Sequence, residues 1–284
     1  MPLPDAELHP VATGLAKQTV DDHAAENQLK LFSGWFCPFV QRVWLTLEEK
    51  GIPYEYIENE SIILFNPYHK GPELMRSNPR GLVPTLQVAP GKSLYESTVI
   101  CEYLEDHYAD HEPKLFPSDN YERARSRIWM DYVTSRVIPA FHRFLQFQPS
   151  SYDGDGAARL DELRAEFRKC LLEFAGEMAD VAQGPWFAGK DIGLVDITLL
   201  PWAVRLWVFD EFKGGLGIPE KGAGGQDEER WERWRVWLAA VNERDSVKKT
   251  TSDREHYRPI YKRYADDTAQ SELAKATREG RGVP

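Results

Sequence analysis

Residues 29–58 run from strand to helix and back to strand, an order that a parallel crossover unit satisfies. Leu29-Lys30-Leu31-Phe32 alternates as a half-buried strand does, and Ser33-Gly34-Trp35-Phe36 supplies the turn after it. Pro38 suits the first position of a helix, because its missing N–H has no helical partner there. Val43, Trp44, Leu45 and Leu47 give that helix an apolar surface, Gly51 stops it and Pro53 prevents its restart. Tyr54-Glu55-Tyr56-Ile57-Glu58 is the second strand.

Beyond it, Asn66 to Arg80 reads as a short helix between loops, and Leu82 to Val88 as a strand with Pro84 near its start, a candidate for a cis bond. Gly91-Lys92 turns a hairpin into Ser93-Leu94-Tyr95. A helix follows over residues 96–108, with Val99, Ile100, Tyr103 and Leu104 on one face. Pro113 and Pro117 make a stiff linker of residues 111–118. Residues 119–148, 157–182, 195–212 and 228–243 then carry helical periodicity with almost no strand signal. Trp231, Trp234, Trp237, Leu238 and Val241 form one stripe, the spacing of a core face. The expected division is a flexible arm (1–27), an α/β domain (28–110), the linker, an all-α domain (119–265) and a polar tail (266–284).

Charge and composition exclude several functions. The chain of 284 residues has a formal net charge of −10, which argues against holding nucleic acid by phosphate neutralisation. No apolar run is long enough to cross a bilayer, and the first residues lack a secretory pattern. Three cysteines build no disulfide framework, so a reducing, cytoplasmic setting is expected. His107 and His111 are spaced for one helical face but have no third ligand, so no metal site is expected.

Cys37 is the residue that carries chemistry. A thiol directly before Pro38 faces the unpaired N–H groups and positive end of the helix dipole, which stabilise its thiolate. Cys101 and Cys170 fall inside amphipathic helices and read as inert core. Val40 stands where a dithiol motif would place its second cysteine, so a mixed disulfide at Cys37 needs an external thiol to clear it. Glutathione is the co-substrate this points to, with no other cofactor.

The run Leu31 to Arg42, with Phe36-Cys37-Pro38-Phe39 at its centre, resembles the active-site segment of omega-class glutathione transferases, fungal members above all. Asn78 to Leu86 followed by Tyr95-Glu96-Ser97 resembles the glutathione site of cytosolic glutathione transferases. The resemblance implies an N-terminal thioredoxin-like domain with a mixed sheet, a C-terminal helical bundle and a homodimer. It also implies that Pro84 is cis and turns Val83 outward to pair its backbone with glutathione's cysteinyl part. Ser97 would hold the γ-glutamyl carboxylate, Glu96 the ammonium, and Lys70 the glycyl carboxylate or peptide backbone. Trp35, Phe36, Phe39, Arg205 and Trp207 would line a second-substrate pocket suited to small aromatic or glutathionylated compounds. Gly193 stands where the family commonly has a Ser or Thr cap, leaving Asp196 to bond backbone N–H groups alone.

The implied activity is glutathione-dependent thiol transfer or reduction: deglutathionylation, dehydroascorbate reduction or cleavage of glutathionyl ketones. A non-catalytic binder of aromatic ligands, or a regulatory protein of the same fold, is the alternative. Intracellular chloride-channel proteins share the fold and the Cys-Pro turn, but they need a membrane-entering segment, and Leu31 to Val40 is short and followed by Gln41-Arg42.

Overall fold

The computed structural model describes residues 8–58 and 71–284. Its contacts divide the chain into two units, Met1–Phe116 with Glu243–Tyr257, and Pro117–Asn242 with Arg258–Pro284.

In the first unit, strands β1 (Lys30–Ser33), β2 (Glu55–Glu58), β3 (Thr85–Ala89) and β4 (Lys92–Tyr95) form one mixed sheet in the order β2-β1-β3-β4. β1 and β2 are parallel, with Leu31 opposite Tyr56, while β1/β3 and β3/β4 are antiparallel. The helices among the described residues up to Phe116 are α1 (Gly14–Asp22), α2 (Pro38–Lys50), α3 (Pro72–Ser77) and α4 (Ser97–His107). This is the expected thioredoxin-like plan. Leu31, Val43, Leu47, Leu86, Ile100 and Leu104 are fully buried, each burial contributing about 1.5–3 kcal/mol. Val99, expected on the inner face of α4, points outward.

The helix that carries the nucleophile is fixed at both ends. Gly51, at φ 57°, caps α2 with the Schellman pair Gly51 N–H to Glu48 O and Ile52 N–H to Leu47 O. Residues 243–257, expected within the helical domain, return to the first unit instead. There Gln41 donates to Thr250 O (3.1 Å) and Thr251 Oγ1 (2.9 Å), and Arg244 pairs with Glu49.

Nor are residues 8–27 the flexible arm expected from their polarity. α1 forms there, with Leu8, Ala12 and Ala16 buried. Thr13 N–H donates to Ser252 Oγ, and Ala12 N–H donates to Glu58 Oε1 (3.2 Å). Burial pushes the Glu58 carboxyl up to about 7, although the Ala12 N–H and Lys17 favour its ionised form. The native state therefore holds a proton that the unfolded chain releases near pH 4.5, and stability falls as pH rises through that window. Relative to Glu58→Gln, the protein is expected to lose on the order of 2 kcal/mol between about pH 5 and pH 8, with part-exposure discounted. Urea unfolding at both pH values checks this; parallel pH dependence in the two proteins contradicts it.

In the second unit, α5 (Asn120–Tyr132) and α6 (Ile138–Gln146) are joined by a π turn over Val133–Val137 where a single helix was expected. Pro139 explains it: the wider turn accommodates the ring, which would crowd the carbonyl four residues back, and Ile138 N–H bonds Val133 O. α7 (Gly156–Glu177) starts at Asp155, whose carboxylate accepts the Ala157 and Ala158 N–H groups. The expected helix over 195–212 is two, α8 (Leu194–Ala203) and α9 (Trp207–Phe212).

α10 (Glu228–Glu243) buries Trp231, Trp234 and Trp237, so the tryptophan stripe is core. Asp196 bonds more than backbone: its carboxylate accepts Gly193 N–H (2.9 Å), Phe187 N–H (2.8 Å) and the Trp237 indole N–H (2.7 Å). The sidechain bond from Trp237 is what the sequence reading missed. α11 (Asp245–Lys249) and α12 (Arg254–Ala265) precede α13 (Glu272–Arg278). The last lies in the expected polar tail, yet Leu273, Ala274 and Ala276 are buried, and Gln146 Nε2 donates to Ala274 O.

Candidate active site

β1 ends at Ser33, and the chain turns at once, with Cys37 N–H donating to Gly34 O (2.9 Å). A Cβ on Gly34 would lie 3.1 Å from the Phe36 ring, so a larger residue there would have to shift that ring. Cys37 becomes the N-cap of α2 in extended conformation, Pro38 the first helical residue, and Gln41 N–H to Cys37 O starts the ladder. The first N–H groups of a helix have no carbonyl partner within it, and that positive end favours an anion at the N-cap, although the Cys37 side chain accepts no cap hydrogen bond here. Cys37 is half-buried. Cys101 is buried and its thiol pushed up to about 11; burial also raises Cys170. Both stay neutral at physiological pH.

The second half of the site is a loop built around Asn78. Its buried amide donates to Leu82 O (3.1 Å) and Thr85 Oγ1 (3.1 Å), and its carbonyl oxygen accepts Arg80 N–H (3.0 Å). The loop leads into a cis Val83–Pro84 bond, as expected, and Cys37 Sγ lies 4.0 Å from Val83 O. Cys37 and Val83, 46 residues apart in sequence, thus share one site. Asn78 was quoted in the motif without a role; its amide is what holds the loop.

Glu96 and Ser97 open α4. Glu96 sits at φ 71°, a region costly for a residue with a side chain, and its carboxylate pairs with Arg80 (2.7 Å). Ser97 is buried, and its Oγ accepts from Arg42 Nη1 (3.2 Å), which leaves the hydroxyl proton to donate. Arg80 and Arg42 are partners that the sequence reading did not assign; an Arg inside an apolar helix face was the available signal for Arg42. Lys70 lies outside the described residues.

The expected second-substrate residues fall in both units. Phe36 and Phe39 flank Cys37 and are half-buried. Trp35 is 1 % exposed and belongs to the core: its indole donates to His9 O (3.1 Å), and the Tyr257 hydroxyl donates to its carbonyl. Among the described residues, His9, ahead of α1, is one of those that pack against its ring. In the second unit Arg205 is likewise buried and donates to the Pro201 carbonyl one turn back, while Trp207 packs against Tyr261. An open depression of about 400 Å³, lined by Glu48, Glu49, Arg244, Ser246 and Lys249 among others, sits at the end of α2 away from Cys37. Among the described residues no helix is long and apolar enough to cross a membrane.

Residues 36–107 match the glutathione S-transferase N-terminal domain and residues 157–240 the glutathione S-transferase C-terminal domain. Glutathione S-transferase omega-1 of Sus scrofa is 34% identical over 181 residues, covering 64% of this chain and 68% of the relative. The crystal structure of glutathione transferase Omega 3C from Trametes versicolor superposes with a TM-score of 0.75 at 40% identity, over 92% of this chain and all of that one. Rice GST1, solved in complex with glutathione, gives 0.64 at 27% identity, over 85% of this chain and 96% of that one.

Proposed function

We propose, from the premise that this chain belongs to the glutathione S-transferase family and is an enzyme of it, that it works as a Cys37-dependent thiol transferase of the omega kind. The Cys37 thiolate attacks the glutathionyl sulfur of a mixed disulfide. A Cys37–glutathione disulfide forms and the substrate thiolate leaves, taking a proton from solvent. A second glutathione thiolate then attacks the glutathionyl sulfur, releasing oxidised glutathione and restoring Cys37. The balance is one mixed disulfide and one glutathione consumed, one thiol and one glutathione disulfide formed.

The observation that carries this reading is a cysteine, rather than a hydroxyl residue, at the N-cap of α2 and beside Val83. A thiol there competes with glutathione's own thiolate instead of hydrogen-bonding it. In our reading the glutathionyl part lies along Val83 and Pro84, its carboxylate at Ser97 and its ammonium at Glu96, which Arg80 holds in place. Phe36 and Phe39 offer aromatic surface to the second substrate. Dehydroascorbate and glutathionyl ketones are candidate substrates of the same site. A reducing compartment such as the cytoplasm suits three cysteines that form no disulfide with one another. We also infer a homodimer: Tyr95 and Val99 on the first unit, and Tyr121 and Ile128 on the second, are exposed apolar side chains of a kind that pairing buries.

Two activities measured on one preparation test the function. Glutathione-dependent reduction of a small mixed disulfide is expected to exceed conjugation of an aryl halide by at least about a hundredfold in kcat/KM, a difference of about 3 kcal/mol in transition-state stabilisation. Conjugation that equals or exceeds thiol transfer contradicts the proposal.

A further inference from the structure

We propose that Arg42 is a positioning residue of this site, tying the helix that carries Cys37 to the first residue of α4 and holding a buried positive charge on the second turn of the helix that Cys37 opens. The inference rests on the thiol-transfer reading above and adds a residue to it.

Arg42 stands on the second turn of α2 and is 1 % exposed. A solvated arginine there would read as a surface charge; this one lies inside. Its guanidinium donates to Ser97 Oγ (3.2 Å) across 55 residues of sequence and lies 5.3 Å from the centre of the Phe39 ring. One group thus touches both the helix that starts at Cys37 and the hydroxyl proposed to bind the γ-glutamyl carboxylate. Arginine suits this work because its planar fork keeps a fixed geometry and its charge is hard to remove.

The charge survives burial. Burial lowers the Arg42 pKa to about 10, opposed by electrostatic coupling to Cys101 and Cys37, so the group is a cation at neutral pH. Among the described residues, the titratable groups coupled to this pair include Cys101 on α4, pushed up to about 11, and Tyr56 on β2, raised further by burial and by Glu58. Both are neutral when Cys37 titrates. Arg42 therefore biases Cys37 toward thiolate through a low-dielectric region, and adds attraction for a carboxylate at Ser97.

The test reads the pH dependence of Cys37 alkylation by iodoacetamide, followed on the Cys37 peptide by mass spectrometry, together with KM and kcat for glutathione. Arg42→Met is expected to raise the alkylation midpoint by about one pH unit or more, leaving the high-pH plateau unchanged, and to raise the glutathione KM about fivefold or more. Arg42→Lys is expected to keep the midpoint within about 0.3 unit, since the charge remains, while KM still rises because an ammonium lacks the fork. An unshifted midpoint in a folded Arg42→Met protein overturns the proposal. Should that variant not fold, the Lys variant decides: a raised KM with a preserved midpoint supports the proposal, and any other pairing overturns it. The alkylation midpoint does not depend on turnover, so a failure of the thiol-transfer reading, seen as activity without Cys37, is distinguishable from a failure of this one.

Discussion

Cys37→Ser is expected to lower glutathione-dependent thiol transfer by at least about a thousandfold, roughly 4 kcal/mol of transition-state stabilisation, while glutathione binding changes by only a few-fold. The size follows from the chemistry. A serine hydroxyl at the same N-cap stays protonated at neutral pH and forms no disulfide, so the mixed-disulfide route closes rather than slows. Serine is also a good N-cap, so α2 should keep its start and the protein its stability. Conjugation of aryl halides should rise in the same variant, because a hydroxyl beside Val83 can hydrogen-bond glutathione's thiolate. Steady-state kinetics with both substrates checks the pair of expectations. Thiol transfer that persists within tenfold of the parent protein contradicts the mechanism.

The second large effect concerns stability. Lys50 Nζ is buried at the end of α2, 2.7 Å from Glu105 Oε2, and also donates to His111 O (3.0 Å) and Pro113 O (3.3 Å). The other oxygen of Glu105 accepts the Leu115 and Phe116 N–H groups (2.9 and 3.2 Å). One ion pair thus joins α2 and α4 and fixes residues 111–116 upon them. Lys50→Met leaves a buried carboxylate without its cation, and Glu105→Gln leaves a buried ammonium without its anion. Each is expected to cost about 3–5 kcal/mol. The double change Lys50→Met/Glu105→Gln should cost clearly less than the sum, since no unpaired charge remains and the amide oxygen can still accept the Leu115 and Phe116 N–H groups. Urea unfolding of the three variants measures this, and single changes costing under about 1 kcal/mol contradict it.

How much of this was legible in the sequence depends on how local the cause is. The crossover unit, the Cys-Pro helix start and the cis bond before Pro84 rest on neighbours a few residues away, and the period and turn chemistry show them directly. The tryptophan stripe of α10 was readable as core for the same reason. α1 and α13 were missed because they are short and polar. Ala16 and Thr19 in one, and Leu273, Ala274 and Ala276 in the other, are buried by distant segments, which periodicity over so few residues does not reveal.

The site divides in the same way. Cys37, Val83, Glu96 and Ser97 are carried by motifs. The partners Arg42 and Arg80, and the Asn78 bonds that shape the loop, are tertiary contacts, and although Arg42 stands in an apolar helix face, nothing local names what any of the three touches. Trp35 shows a related difficulty: an aromatic residue beside a nucleophile suggests a pocket wall, yet this one is buried and its indole donates to the carbonyl of His9. Arg205 is likewise buried, with one of its bonds to the Pro201 carbonyl.

The most direct measurement is mass spectrometry of the native protein after incubation with oxidised glutathione. One glutathionyl group on the Cys37 peptide is predicted, none on the peptides of Cys101 and Cys170, and its complete removal by reduced glutathione. A Cys37 that stays unmodified in native protein while thiol transfer proceeds would contradict the account.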